Sequence, residues 1–236
     1  MNIQGYQKMT LLDFPGKVAC TVFTGGCNLR CPFCHNAGLV RSPRETDSLE
    51  SEVLSYLSKR RGILDGVCVT GGEPLLQPDL GNFLKQVKDL GLAVKLDTNG
   101  SLPHLLAPLL ATGWIDYVAM DVKSSPQGYP AAVGCDVDFA PFRESIRLLQ
   151  QSGIPHEFRT TAVKGIHTPE DFLQISREIG DANYFIQAFV DSGNLLGEGC
   201  AAFDREESLE LLKQARTHTP RARLRGQDED EIHRIN

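Results

Sequence analysis

The chain has 236 residues with 41% hydrophobic and 23% charged content, enough for one sizeable core and ordinary for a globular protein. Its net charge is −6 without a long basic stripe, which leaves nucleic-acid binding without electrostatic support, and no apolar run nears the roughly 20 residues that a membrane-spanning helix requires. Seven cysteines, an odd number with three crowded together, do not suit a disulfide framework; residues 1–10 lack an apolar signal core, so the expected setting is the reducing cytoplasm, away from membranes.

In chain order, residues 18–23 are β-branched or apolar and read as a first strand. Gly25 and Gly26 end it and lead into Cys27, Cys31 and Cys34. A helix follows over 48–61, with Leu49, Val53, Leu54 and Leu57 at helical spacing and Gly62 as its stop. Residues 66–70 form a second strand. Gln77-Pro78-Asp79 opens a helix with Leu80, Phe83, Leu84 and Val87 on its apolar face and Gly91 past its end. A third strand at 92–96, a proline-interrupted helix over 102–111 and a fourth strand at 115–120 continue the alternation. Beyond a Pro-, Gly- and Ser-rich loop at 124–138 come a helix over 139–151 and a fifth strand at 156–163. A helix that Thr168 and Pro169 begin runs to about 179, and a sixth strand spans 184–189. A helix over 205–216, a small extra strand within 221–225 and a solvated acidic tail at 228–231 complete the chain.

Six strand–helix units with parallel crossovers predict an α/β fold with a parallel sheet. A closed barrel of this kind needs eight units, so six predict a partial, open (β/α)6 barrel, with a doubly wound sheet as the alternative. One domain is expected over 1–236, with its core at about 17–190 and a C-terminal helix and tail at 203–236.

The cysteine loop carries the sharpest chemistry. Three thiolates in eight residues can cap three irons of a four-iron, four-sulfur cube and leave the fourth iron open to a small molecule. A structural zinc loop would pair its cysteines or histidines differently, and His35 stands too close to Cys34 to chelate comfortably beside it. Reactive groups of parallel barrels gather at the C-terminal strand ends, where further motifs occur. Gly71-Gly72-Glu73-Pro74 follows the second strand, Asp97-Thr98-Asn99-Gly100 the third, and Asp121-Val122-Lys123 the fourth. Glycines let backbone approach a ligand, and the Glu73 carboxylate with nearby carbonyls suits an ammonium group. Asp97 and Asn99 can bond ribose hydroxyls, although Asn-Gly is also a turn signal. Asp121 and Lys123 point the same way along an extended run and fit either a ligand or a salt bridge across the barrel top. Arg159, a charge in an apolar strand, must face the cavity or pair with Glu157 or an acid on a neighbouring strand. Gln187 on the last strand is a weaker candidate for the same cavity. Cys20 and Cys68 read as small core residues, and the other scattered histidines as solvated or structural.

Cys-x-x-x-Cys-x-x-Cys with Phe33 before its last cysteine resembles the signature of the radical S-adenosylmethionine superfamily. The runs Leu12-Asp13-Phe14-Pro15-Gly16-Lys17 and Cys31-Pro32-Phe33-Cys34-His35-Asn36 are similar to those of glycyl-radical enzyme activating enzymes, above all the activators of anaerobic ribonucleotide reductase. The resemblance extends from about residue 6 to the region of 187 and agrees with the open barrel. It implies one [4Fe–4S] cluster on Cys27, Cys31 and Cys34 and S-adenosylmethionine held near Phe33, His35, Gly71, Gly72, Glu73, Asp97, Asn99, Asp121, Lys123 and Arg159. Gly71-Gly72-Glu73 looks like the motif that holds the methionine amino group, and Asp121-Val122-Lys123 matches an Asp-x-Lys of the activases. An electron from flavodoxin or ferredoxin would then cleave the cofactor to methionine and a 5′-deoxyadenosyl radical, which abstracts hydrogen from a glycine of the partner reductase. The stretch Gln187-Ala188-Phe189-Val190 departs from the Pro-aromatic-His run of pyruvate formate-lyase activases, which favours the reductase branch. Three alternatives remain at this point: activation of a pyruvate formate-lyase-like enzyme, radical chemistry on a small molecule, and a non-catalytic iron–sulfur or zinc protein.

Overall fold

A computed structural model describes residues 1–41, 49–191 and 193–226. Eight strands form one sheet in sequential order: β1 (Ile3–Thr10), β2 (Ala19–Thr24), β3 (Gly66–Gly71), β4 (Ala93–Thr98), β5 (Tyr117–Asp121), β6 (His156–Ala162), β7 (Tyr184–Ala188) and β8 (Arg223–Arg225). β1 is antiparallel to β2; every later neighbour is parallel. The helices are α1 (Ala37–Arg41), α2 (Leu49–Lys59), α3 (Leu80–Asp89), α4 (Pro103–Leu110), α5 (Tyr129–Val133), α6 (Ala140–Ser152), α7 (Pro169–Ile179) and α8 (Arg205–Ala215). Among the described residues β1 and β8 do not pair, so the sheet curls into an open barrel with a gap between them. This is the expected partial barrel, with β2 to β7 as its six core strands.

Periodicity explains why the core strands form where the sequence predicts them. Along β3, β4 and β5, one set of alternate residues (Val67, Val69, Val94, Leu96, Val118, Met120) is wholly buried and apolar. The helices meet that layer with the fully buried Leu57, Phe83, Leu84, Val87, Leu149, Phe172 and Ile175. Of the residues on the other face, Asp97 at the end of β4, Asp121 at the end of β5 and Arg159 of β6 line the barrel mouth. Thr168 caps α7 by a capping box with Asp171, and Asp204 does the same for α8 with Glu207.

Two elements depart from the sequence reading. β1 was not expected, because Gln4-Gly5-Tyr6-Gln7-Lys8 has no apolar alternation: only Ile3 and Thr10, at its ends, are buried, and its register shifts twice against β2. The loop expected at 124–138 contains α5, whose Tyr129 packs on Phe139 and Phe142 at centroid distances of 5.0 and 4.3 Å. Gly134 closes α5 at φ 65°, and a Cβ there would meet the Arg30 carbonyl oxygen at 2.3 Å, so α5 abuts the cysteine loop directly. Ser48, the expected start of α2, and the acidic run at 228–231 lie outside the described residues. No described helix is long and apolar enough to cross a membrane.

Replacing Ile3 with Ala removes a fully buried side chain where β1 covers the edge of β2. Chemical denaturation is expected to show a loss of about 2–5 kcal/mol. A loss below about 1 kcal/mol, the range of surface substitutions, would show that β1 is not docked.

Candidate cluster and cofactor site

The cysteine loop is shaped by backbone contacts that leave no room for side chains. Gly72 N–H donates to the Thr24 carbonyl at 2.9 Å, and Glu73 N–H to the Gly26 carbonyl at 2.8 Å. A Cβ on Gly72 would lie 1.9 Å from the Gly26 oxygen; one on Gly71, at φ 116°, would lie 2.4 Å from the Thr24 nitrogen. Asn36 Nδ2 donates to the Gly71 carbonyl at 3.1 Å and Gln77 Nε2 to the Gly25 carbonyl at 2.9 Å. The loop after β2 and the turn after β3 are thus one stitched unit.

Cys27, Cys31 and Cys34 emerge from this unit into a cavity of about 250 Å³ at the C-terminal strand ends. Burial raises the Cys27 thiol and pushes Cys31 up to about 12, so ligation must displace their protons. Phe33, which separates Pro32 from Cys34 in the sequence, is buried, its ring edge-to-face with that of His167 at a centroid distance of 6.1 Å. His35 lines the cavity beside Phe189, ring centroids 5.8 Å apart, and burial lowers its pKa. His167, read from the sequence as solvated or structural, is buried and structural: its Nδ1 accepts from Val163 N–H at 3.0 Å, which leaves Nε2–H to donate to the Lys123 carbonyl at 2.7 Å.

Across the cavity stands a charged wall. Arg159 Nε donates to Asp121 at 2.8 Å and Nη1 to Asp97 at 3.2 Å; Lys123 reaches the other Asp121 oxygen at 2.9 Å. Lys95, buried below, pairs with Asp97 and lies 3.6 Å from the Cys68 sulfur. Burial opposes charge on Asp97 and Asp121, but the flanking cations outweigh it and hold both carboxyls below their ordinary value. Burial likewise opposes charge on Lys123 and Arg159, and the aspartates hold both above theirs. Arg159 therefore pairs with acids of β4 and β5, whereas Glu157 turns to Arg225 at 3.1 Å and the Tyr117 hydroxyl at 3.1 Å.

Glu73 is placed differently from its neighbours. It is 0% exposed and does not line the cavity; its carboxylate accepts from Leu75 N–H at 3.1 Å, Thr98 Oγ1 at 2.8 Å and Asn99 N–H at 2.7 Å. Burial nevertheless pushes it up to about 7. Gly71 and Gly72, not Glu73, present the turn to the cavity, and Glu73 binds the end of β4 beneath it. Asn99 lines the cavity, with its Nδ2 3.0 Å from Asn28 Oδ1 and 3.9 Å from the Cys27 sulfur. The sequence reading missed Asn28, Asn36, Thr98 and Thr161 here; the first two sit inside the cysteine run, which was the available signal.

Residues 21–179 match the model of the radical SAM superfamily. The chain is a radical SAM protein. A provisionally named glycyl-radical enzyme activating enzyme of Methanocaldococcus jannaschii is 31% identical over 193 residues, 79% of each chain. A pyruvate formate-lyase-activating enzyme of Clostridium pasteurianum is 36% identical over 139 residues, 56% of this chain and 57% of its own. A provisionally named GTP 3′,8-cyclase of Thermococcus kodakarensis is 30% identical over 164 residues, 66% of this chain and 52% of its own. The radical SAM chain thus spans little more than half the length of the last two. The structure of Streptococcus suis SuiB bound to S-adenosylmethionine superposes at TM-score 0.66 and 17% identity, over 85% of this chain and 48% of that one, which supports the fold.

Family membership brings a [4Fe–4S] cluster and S-adenosylmethionine. The cavity fits them: among the described residues three cysteines, and no fourth, line it, and a polar wall stands opposite. Among the described residues no three His, Cys, Asp or Glu side chains converge on a single ion, as zinc requires. A cube needs no such convergence, since each thiolate caps a different iron.

Gly72→Ala is expected to lose most bound iron and sulfide after anaerobic reconstitution and to cost about 1–3 kcal/mol in stability. Gly38→Ala, whose Cβ would meet nothing within 4 Å, is expected to retain both, and iron and sulfide analysis compares them. Arg159→Met takes one cation from Asp97 and Asp121, which keep Lys95 and Lys123, and should cost up to about 3 kcal/mol near pH 7. The folded Asp121 pKa lies below the unfolded value of about 3.9, so its contribution is present above that pH and fades as pH falls through the folded value. Urea unfolding should therefore show the deficit of the variant nearly constant from pH 7 down to about 4 and shrinking only as the pH falls further.

Proposed function

We propose that this radical SAM enzyme activates a glycyl-radical enzyme, forming the radical on one glycine of a partner, and that the partner is the anaerobic ribonucleoside-triphosphate reductase. The observation that carries the reading is the relative named for this activity, aligned over 79% of both chains. The Clostridium relative supports the same reaction class. The absence of a Pro-aromatic-His run at Gln187-Ala188-Phe189-Val190 favours the reductase over a pyruvate formate-lyase.

When bound, the cluster and cofactor supply an electron and the resulting 5′-deoxyadenosyl radical. In this reading Cys27, Cys31 and Cys34 hold the cluster. The Gly71-Gly72 backbone gives the cofactor amino group a close approach, with Glu73 fixing the turn from below. Asp97, Asn99, Asp121, Lys123 and Arg159 offer bonds to its ribose and carboxylate, while Phe33 and His35 exclude water from the loop side. The electron comes from flavodoxin or ferredoxin, in the cytoplasm. The gap between β1 and β8 gives a macromolecular substrate a lateral way in.

The cyclase relative favours a second reading, chemistry on a nucleoside triphosphate. The charge pattern of the cavity weighs against it. Each lining cation, Lys123 and Arg159, is already paired with a carboxylate, and among the described lining residues no further Lys or Arg stands free for a triphosphate.

Mixing the reduced, reconstituted protein with the reductase and S-adenosylmethionine is expected to give a glycyl doublet in electron paramagnetic resonance. Cofactor cleavage without that doublet would reject the partner. Cleavage coupled to turnover of GTP would replace the reading with the second one.

A further inference from the structure

Polar groups around the cavity fall into two sets. Asp97, Asp121, Lys123 and Arg159 bond one another, Thr98 serves Glu73, Asn99 serves Asn28, and Asn36 serves Gly71. The side chains of Thr161 and Gln187 also line the cavity, yet neither makes a hydrogen bond to any described residue. They are direct cross-strand partners in the register of β6 and β7, so they stand side by side at roughly the 4.8 Å strand spacing. Both are half-buried. Thr70 is the other lining hydroxyl without a partner, but it lies on β3, beside the cysteine loop. Thr161 and Gln187 lie on β6 and β7, at the end of the sheet that the three-residue β8 completes.

Resting on the activase reading, we propose that Thr161 and Gln187 hold the peptide backbone of the substrate glycine. Glycine has no side chain to recognise; what it carries into a cavity is its own and its neighbours' N–H and C=O groups, which need partners once they leave water. A carboxamide beside a hydroxyl supplies three donors and several acceptors without charge, the complement of a peptide unit. In the same reading the charged wall is taken up by the cofactor and by its own ion pairs, which are costly to break at a buried site. Gln187 lies two residues before Phe189, whose ring stands 5.8 Å from that of His35, so a segment bonded by the pair would lie beside the cysteine loop. The pair therefore governs how tightly the partner's glycine segment binds, and it is separate from the grip on the cofactor.

The test compares Thr161→Val, Gln187→Met and the conservative Thr161→Ser, the first two near-isosteric so that the fold is kept. One readout is the concentration of reductase that half-saturates glycyl-radical formation. A second is S-adenosylmethionine affinity, read from its effect on the reduced-cluster spectrum. The Val and Met variants are expected to raise half-saturation by about tenfold each, the loss that follows when a buried amide goes unpaired. Cofactor affinity should stay within about twofold, and the Ser variant should match the parent. Unchanged half-saturation overturns the inference, and so does a tenfold loss of cofactor affinity, which would assign the pair to the cofactor. If the parent protein forms no radical on the reductase, pyruvate formate-lyase replaces it as acceptor in the same comparison. Radical formation on neither removes the glycine substrate and this inference with it, whereas a working parent with indifferent variants removes the inference alone.

Discussion

The carbonyl of Gly26 and the α-carbon of Gly72 touch so closely that no side chain fits between them, and the rest of the site is built outward from that contact. It joins the turn after β2 to the turn after β3, and so ties the three thiols to the backbone that faces them. Neighbouring parallel strands already stand at a fixed spacing, with Phe23 opposite Thr70 and Thr24 opposite Gly71. The glycines convert that spacing into a rigid wall. Asn36 and Gln77 then spend their amides on the carbonyls of Gly71 and Gly25, which leaves the loop little freedom to rearrange.

The opposite wall obeys a different constraint. Charged side chains inside a barrel mouth survive only when paired, and Arg159 is the hinge of the pairing, bonded to two aspartates from two strands. Lys123 and Lys95 complete it at either end. The backbone of Lys123 is in turn held by His167, whose neutral form is dictated by the donor at its other nitrogen. Buried carboxylates and cations placed in alternation keep one another ionised, so the cavity stays polar without any single exposed charge.

Much of this was legible in the residues themselves. The six core strands follow from β-branched apolar runs, and the cysteine spacing with its flanking glycines identified the loop. Asp97, Asp121 and Lys123 were expected at the barrel mouth from their place at the C-terminal strand ends, and Arg159 was expected to face the cavity or to pair, since a charge in an apolar strand needs one or the other. What could not be read depends on partners far apart in sequence. Glu73 turns inward because Thr98 and the Asn99 amide come within reach only once β4 lies beside β3. Arg159 prefers Asp121 and Asp97 to the nearer Glu157 because Arg225, contributed by a strand of three residues, claims that acid. β1 escaped notice because its middle faces solvent and shows no period, while α5 hid in a stretch whose proline and glycine look like loop residues but serve as helix start and stop.

The mutual neutralisation of the wall reaches beyond the cavity. Asp97, Asp121, Lys123 and Arg159 cancel within a few ångströms, and the buried Lys95 leaves the wall one positive charge, whose field in solvent ions damp over roughly 8–10 Å. Such a mouth draws a partner in only weakly from a distance. Long-range steering, and with it any strong dependence of encounter rate on ionic strength, must come from the outer surface, leaving the cavity to discriminate only after contact has been made.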